Sequence, residues 1–265
     1  MAIFLLIISV AVIAVVGWSM WQSWQHTLQD TEKQARNQSV SLSRQAEDTF
    51  LQVQITLEDI LRHSDDIFNH PEHYIGPQGL LGIQKSRLPQ LHGLFVYDAQ
   101  GNWLATSGKK MLPHANNADR EYFRWHRSHT DAHIHVGHVI ASRSTGDLII
   151  PVSLRINDAT GHFRGVVLGT VRVDFFRQFY GYYEMAPTDL LGLTHLDSTV
   201  LYVRPFPDTI INRSMASTPL YRQLLKASPL GGGTWRSPVD GVTRIFGYAQ
   251  LTSYLLVFGS TPIRF

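Results

Sequence analysis

The sequence predicts an α+β protein with an N-terminal transmembrane helix, a long stalk helix and two antiparallel-sheet modules. Three observations predict it. An uncharged apolar run opens the chain, an amphipathic stretch without proline or glycine follows, and beyond Pro71 the pattern twice becomes strand, strand, helix, strands.

Ala2–Gly17 reads AIFLLIISVAVIAVVG and carries no charge, and Trp18, Met20, Trp21 and Trp24 follow it. Tryptophans placed so form the aromatic belt of a membrane boundary. Carried on to Trp21, the run reaches about 20 residues, enough to cross a hydrocarbon core of roughly 30 Å. No A-x-A pattern closes it as a cleaved signal peptide would require. Residues 1–21 are therefore expected to stay in the membrane as an anchor.

Between Gln22 and Asn69, Leu28, Ala35, Leu42, Ala46, Phe50, Val53, Leu57, Ile60 and Ile67 recur at helical steps. That is the apolar stripe of one long helix over 22–70. Pro71 ends it, because the residue before a proline is pushed out of helical geometry. A helix of this length beside an anchor is a lever or a seam between two copies, so a homodimer is expected. A helix packed along its own domain would give the same stripe.

The first sheet module is expected over 71–184 and the second over 185–262. In the first, Gly93–Asp98 and Trp103–Ser107 flank the turn Ala99-Gln-Gly-Asn102, and Asp119–His129 reads as a helix with Asp119 as its N-cap. Strands are expected at 134–142, 148–156 and 164–174, with Asn157–Gly161 as the turn between the last two, and Phe175–Glu184 as the link between modules. In the second, 191–197 and 200–204 form a hairpin, 218–227 a short helix, and 233–236, 244–250 and 254–260 a smaller sheet. Gly231-Gly-Gly233 reads as a turn entering a strand. It is no phosphate loop, since the lysine and the following helix are missing. The chain stops at Phe265, where a second membrane helix would be expected to begin.

Composition narrows the function. The chain has 44% hydrophobic and 17% charged residues and a net charge of +2, with no basic run beyond Lys109-Lys110, so nucleic acid is not an expected partner. The absence of cysteine removes disulfides, thiolate metal sites and cysteine nucleophiles. No H-E-x-x-H motif or Ser–His–Asp order stands out, which leaves a hydrolase as the weakest reading. Five of the thirteen histidines, at 126, 129, 133, 135 and 138, lie close together. Imidazoles can bind zinc, copper or nickel, but the recognised zinc spacings are absent and a hydrated surface cluster is the expectation. No cofactor is expected.

Several strings then carry a resemblance. Asp119-Arg-Glu-Tyr-Phe123, Ser142-Arg-Ser-Thr-Gly146, Gly161-His-Phe-Arg-Gly-Val-Val167 and Asp174 occur in the first module, and Leu201-Tyr-Val-Arg-Pro205 and Asp240–Tyr248 in the second. In this order, after a long helix, they resemble the double Cache sensors, two PAS-like sheets that precede diguanylate cyclase, histidine kinase or chemoreceptor output domains. The resemblance implies a periplasmic ligand sensor held in a bacterial inner membrane, with a membrane-distal first module and a membrane-proximal second one. Its ligand would be an amino acid, amine or small carboxylate. The output would most nearly be a diguanylate cyclase, although no GGDEF or kinase string occurs here, so the chain itself is not read as an enzyme. A structural or dimerising ectodomain without a ligand is the alternative.

The resemblance also implies a site in the distal module. Arg120 would hold a carboxylate through paired hydrogen bonds, with Tyr122, Phe123 and Trp125 around it. Tyr122 stands where the family string carries tryptophan. Arg143 would add a second positive contact and Asp174 would face an amine. A structural ion pair between Arg120 and Asp174 is the competing expectation.

Overall fold

The computed structural model describes residues 1–131 and 133–262; the side chains of residues 2 and 5–7 also lie outside the described residues. Helix α1, Ala2–Arg62, runs without a break for 61 residues, about 90 Å at 1.5 Å per residue. A short helix α2, Ser64–Asn69, completes the rise to Pro71. The expected stripe is buried from Ala35 to Ile67. It is buried against the chain's own two sheets, so Ala35 and Leu42 are closed to a second copy and from Ala35 onward the stripe is no dimer seam; Leu28 is half-buried. Among the described residues no helix is long and apolar enough to cross a membrane. The expected anchor falls partly on residues 2 and 5–7.

After α3, Leu80–Ser86, the first sheet begins with β1, Leu91–Asp98, and β2, Trp103–Thr106. Helix α4, Glu121–Ser128, follows, then the two-residue strands β3, His135–Val136, and β4, Ile140–Ala141. The expected strand over 134–142 is thus two short pairings to β5. Strands β5, Leu148–Asn157, and β6, Phe163–Arg172, are the long members of the sheet. Its order is β2-β1-β6-β5-β3, with β4 also on β5, and every pairing is antiparallel. Asp119 does not cap α4; Arg120 is its N-cap residue and makes no side-chain cap. The Asp119 carboxylate is occupied by Arg143 instead, at 2.6 Å.

Helix α5, Val173–Phe179, starts directly after β6, two residues earlier than the expected link, and takes Asp174 out of the sheet. The second sheet contains β7, Leu191–His195, β8, Val200–Arg204, β9, Leu230–Arg236, β10, Thr243–Leu251, and β11, Leu256–Ser260. Its order is β8-β7-β11-β10-β9, again antiparallel. Between β8 and β9 the expected helix is a π-helical turn, Leu220–Leu224, run into a short α6, Leu225–Ala227.

The triple glycine lies inside β9 rather than in a turn. A Cβ on Gly232 would come within 2.9 Å of Glu32 on α1, and one on Gly231 within 2.7 Å of the Tyr248 hydroxyl, so the strand can pass only without side chains. Gly247 on β10 is closer still, 2.3 Å from the Ala35 backbone. The second sheet therefore sits against the early part of α1, around Glu32 and Ala35. The first sheet meets it further along, where Gly169 of β6 faces Val53 and Leu57.

Candidate ligand-binding site

On β1 the side chains alternate. Leu94 and Val96 join the main core with α1, while Phe95 and Tyr97 face the opposite side, towards α4. On β6, Leu168 and Thr170 look the same way. Here the first module has a small pocket, closed by Trp103 of β2, Asn117, Arg120 and Tyr122 near the start of α4, Ile140 and Ala141 of β4, and the turn 142–144.

Asn117 organises one wall. It is 5% exposed, and its amide donates to the Tyr122 hydroxyl at 2.6 Å and to the Tyr97 hydroxyl at 3.1 Å, while its carbonyl accepts the Trp103 indole N–H at 3.1 Å. Burial raises the pKa of both phenols, so they remain protonated at neutral pH. Nothing in the sequence distinguishes Asn117 from its neighbour Asn116, and its role emerges only once three aromatic tips converge on it.

The opposite wall is cationic. Arg120 donates from Nη2 to the Ala141 carbonyl at 3.1 Å, and its Nε is buried without a hydrogen-bond partner. Among the described residues no carboxylate pairs with Arg120. Arg143 is already satisfied, donating to Asp119 and to the Asn116 carbonyl. The lining holds two arginines and no acid.

Of the six expected residues, Arg120, Tyr122 and Arg143 meet here. Phe123 is fully buried and packs edge-on against Phe163, 5.5 Å between centroids, as a core residue. Trp125 lies on another side of α4, stacked between His129 at 4.5 Å and His135 at 4.4 Å. It borders a cleft between the modules that His133, His135, His195 and Tyr254 also line. Asp174 is on α5, 60% exposed, and pairs with Arg177, which also reaches Asp208 at 2.6 Å. The Arg120–Asp174 pair does not form. The polar β6 side chain that faces the pocket is Thr170, four residues earlier, whose hydroxyl donates to the Gly93 carbonyl at 3.1 Å.

The pocket has a volume of about 20 Å³, room for little more than one water. A larger cavity, about 110 Å³, lies in the second module on the face of its sheet away from α1. Its walls are apolar, among them Val200, Val203, Ile210, Leu220, Trp235 and Phe246.

A family model described as a histidine kinase sensor domain, of the dCache_1-like type, matches residues 173–261. The extracellular domain of the putative histidine kinase rpHK1S-Z16 is 30% identical, with 89% of this chain and 96% of that one covered at a TM-score of 0.77. The chain belongs to the double Cache sensor family. It is an extracellular ligand-sensing domain of a signalling protein, and a sensor domain is not a catalytic unit.

Two chemoreceptor domains share the double Cache fold at lower identity. That of Pseudomonas fluorescens CtaA, in complex with L-isoleucine, is 18% identical with a TM-score of 0.62, covering 88% of this chain and 92% of that one. That of Pseudomonas aeruginosa PctC, in complex with GABA, is 14% identical with a TM-score of 0.56, covering 87% and 98%. No curated protein sequence matches the chain.

Proposed function

We propose that this double Cache domain is the periplasmic sensing region of an inner-membrane signalling protein, and that its first module binds a small carboxylate at Arg120. The observation that carries the reading is the Arg120 guanidinium, which lines a small aromatic pocket with Nε buried and unpartnered and no acid in the lining. A buried donor without an acceptor costs free energy, which a ligand oxygen would recover. The chemoreceptor domains of the same fold were crystallised with L-isoleucine and GABA, both of which carry a carboxylate. With Asp174 facing solvent and Thr170 on the pocket wall, an ammonium group has no carboxylate waiting for it, so a plain carboxylate fits better than an amino acid.

A ligand of several heavy atoms needs more than the present 20 Å³, so binding has to open the turn 142–144 and loosen Arg143 from Asp119. That movement gives the ligand a differential affinity for two states, which signalling requires. Residues 1–21 are read as the anchor, on their apolar run and tryptophans. With the second sheet against the early part of α1, that anchor makes the second module (185–262) membrane-proximal and the first (71–184) distal. A homodimer would use the outer face of α1, where Leu51 and Ile55 are exposed. The relative at 30% identity is a putative histidine kinase, which favours a kinase output over a diguanylate cyclase.

The second reading, a structural ectodomain without a ligand, draws on that same small volume. A calorimetric screen of small carboxylates and amino acids separates the two. A hit should lose about tenfold to a hundredfold in affinity on Arg120→Ala, the equivalent of about 1.5–3 kcal/mol, and keep its affinity on Asp174→Ala. A hit untouched by Arg120→Ala in a folded protein places the site elsewhere, and a screen without hits favours the structural reading.

A further inference from the structure

The seam between the two modules brings together three metal-binding side chains that are far apart in the sequence. His138 comes from the loop between β3 and β4 of the first module. His195 ends β7 of the second, and Asp197 is in the turn that follows it. Their donor atoms all lie within 4.8 Å of one another. His138 Nε2 is 2.7 Å from Asp197 Oδ2, His195 Nδ1 is 3.4 Å from Asp197 Oδ1, and the two imidazole rings are 5.3 Å apart.

A plain ion pair needs one imidazole, and His138 supplies it. The second imidazole, with Nδ1 turned to the same carboxylate, is what a pair leaves unexplained. His195 Nδ1 accepts the Asp197 backbone N–H in a long bond of 3.4 Å, so this nitrogen offers a lone pair that is only weakly engaged. The Asp197 carboxylate is held in place by the Thr199 N–H, 2.9 Å from Oδ1. The seam is itself pinned beside the cluster, where Asn212 of the second module donates to the Val139 carbonyl of the first at 2.8 Å.

We propose that His138, His195 and Asp197 hold one divalent transition-metal ion, zinc in particular, as a clamp between the two modules. Two imidazoles and a carboxylate are a recognised donor set for zinc, at about 2.0–2.2 Å per bond and with a fourth position left to water. Tetrahedral donors at that radius stand roughly 3.3 Å apart. The 2.7 Å contact of His138 with Oδ2 would then open by about half an ångström, and donors now up to 4.8 Å apart would close by at most about 1.5 Å. Two other histidines of the tract are engaged elsewhere: His135 pairs with Glu121 at 3.0 Å, and His126 is buried against the Ser153 hydroxyl at 2.9 Å. An ion bound here ties the β3–β4 loop to the β7–β8 hairpin, so it fixes how the two sheets sit relative to each other. It does not depend on what the Arg120 pocket binds.

The test is titration of Zn²⁺ into the tag-free, metal-stripped full chain in detergent at neutral pH, followed by calorimetry and by thermal unfolding with and without chelator. One ion per chain should bind saturably and raise the unfolding temperature. His138→Ala and Asp197→Asn should each weaken binding at least about tenfold, in line with the effect of losing a ligand or its support. His162→Ala, which breaks an exposed His–Asp contact of 3.7 Å away from the seam, should leave it unchanged. X-ray absorption on the zinc-loaded wild type should show two imidazole shells, a readout that does not require any variant to fold. No saturable binding, affinity indifferent to both seam substitutions, or a spectrum without imidazole each overturns the proposal and leaves a plain His–Asp pair.

Discussion

The two sheets share one strand order and one support, and differ in what they enclose. Each places its first hairpin at one edge, its last strand beside that hairpin, and one face on α1. Each keeps a cavity on the other face. In the first module the connection from β2 to α4 supplies Asn117 and Arg120, and the space is small, about 20 Å³, with charged and amide groups set among aromatic walls. In the second the connection from β8 to the π-helical turn supplies Phe206, Ile210, Met215 and Thr218, and the space is apolar and about 110 Å³. The strand order decides where a cavity lies. One loop decides its chemistry, and so which module can recognise a charged ligand.

The contacts with α1 differ in kind as well, and this gives the largest expected effect. Gly247 of β10 faces the backbone of Ala35 and Arg36, with a Cβ position 2.3–2.4 Å from their atoms. Gly169 of β6 faces side chains, Val53 at 2.9 Å and Leu57 at 3.3 Å. Side chains can shift where a helix backbone cannot. Gly247→Ala should destabilise the protein by about 3 kcal/mol or more and Gly169→Ala by about 1–2, on the scale of overpacked cores. Urea unfolding of the two variants measures both. Equal costs would mean that the two modules dock on the helix alike.

Much of this arrangement was legible in the sequence, because it follows from periodicity. The stripe from Ala35 to Ile67 marked α1 and α2 and their buried face, and Ala99–Asn102 marked the β1–β2 hairpin. What periodicity cannot read is the partner of a face: the same stripe serves a dimer seam or, as here, two sheets of its own chain. Gly231–Gly233 looked like a turn because its reason is a close approach to Glu32 and Tyr248, residues far off along the chain. The site was half legible. Arg120 and Tyr122 belong to a local string, whereas Asn117 depends on three aromatic tips brought from β1, β2 and α4. Asp174 was expected at a strand end, but α5 begins one residue before it and turns it to Arg177. His195 and Asp197 lie outside the histidine tract of residues 126–138, and only the fold brings them to His138.

The first module should also respond strongly to mild acid. His126 is fully buried on the inner face of α4, with Nε2 on Ser153 and Nδ1 unpartnered. Burial, helped by the neighbouring His135, pushes its pKa down to about 3 from an ordinary 6.5. Between those values the unfolded chain takes a proton that the native state refuses, so stability falls as pH drops below 6.5. One such proton gives a slope of up to about 1.4 kcal/mol per pH unit. His126→Gln keeps a partner for Ser153 and removes the titration. Its stability, compared with that of the wild type by urea unfolding at pH 5 and pH 7, should show a slope shallower by up to one proton. An unchanged slope would mean that His126 is protonated or solvated in the native state.

The smallest expected effect, at Gly259, belongs to a pair of variants that test the two cavities directly by adding bulk to each. Gly259 of β11 borders the second cavity, and a Cβ there would meet the Gly247 carbonyl at 3.7 Å, an ordinary contact. Gly259→Ala therefore adds a methyl group to vacant apolar space and reduces the freedom of the unfolded chain. Together these should stabilise the protein by about 0.5–1 kcal/mol. Leu168 borders the first pocket, which has no such room, and Leu168→Phe should cost about 1–3 kcal/mol as overpacking. Melting temperatures of the two variants should move in opposite directions, by about 2–4 °C for each kcal/mol in a protein of this size. If both fall, the second cavity is not free volume and the contrast between the modules narrows to their polarity. If both rise, the first pocket is wider in solution than 20 Å³, and a carboxylate can reach Arg120 without the turn at 142–144 having to open.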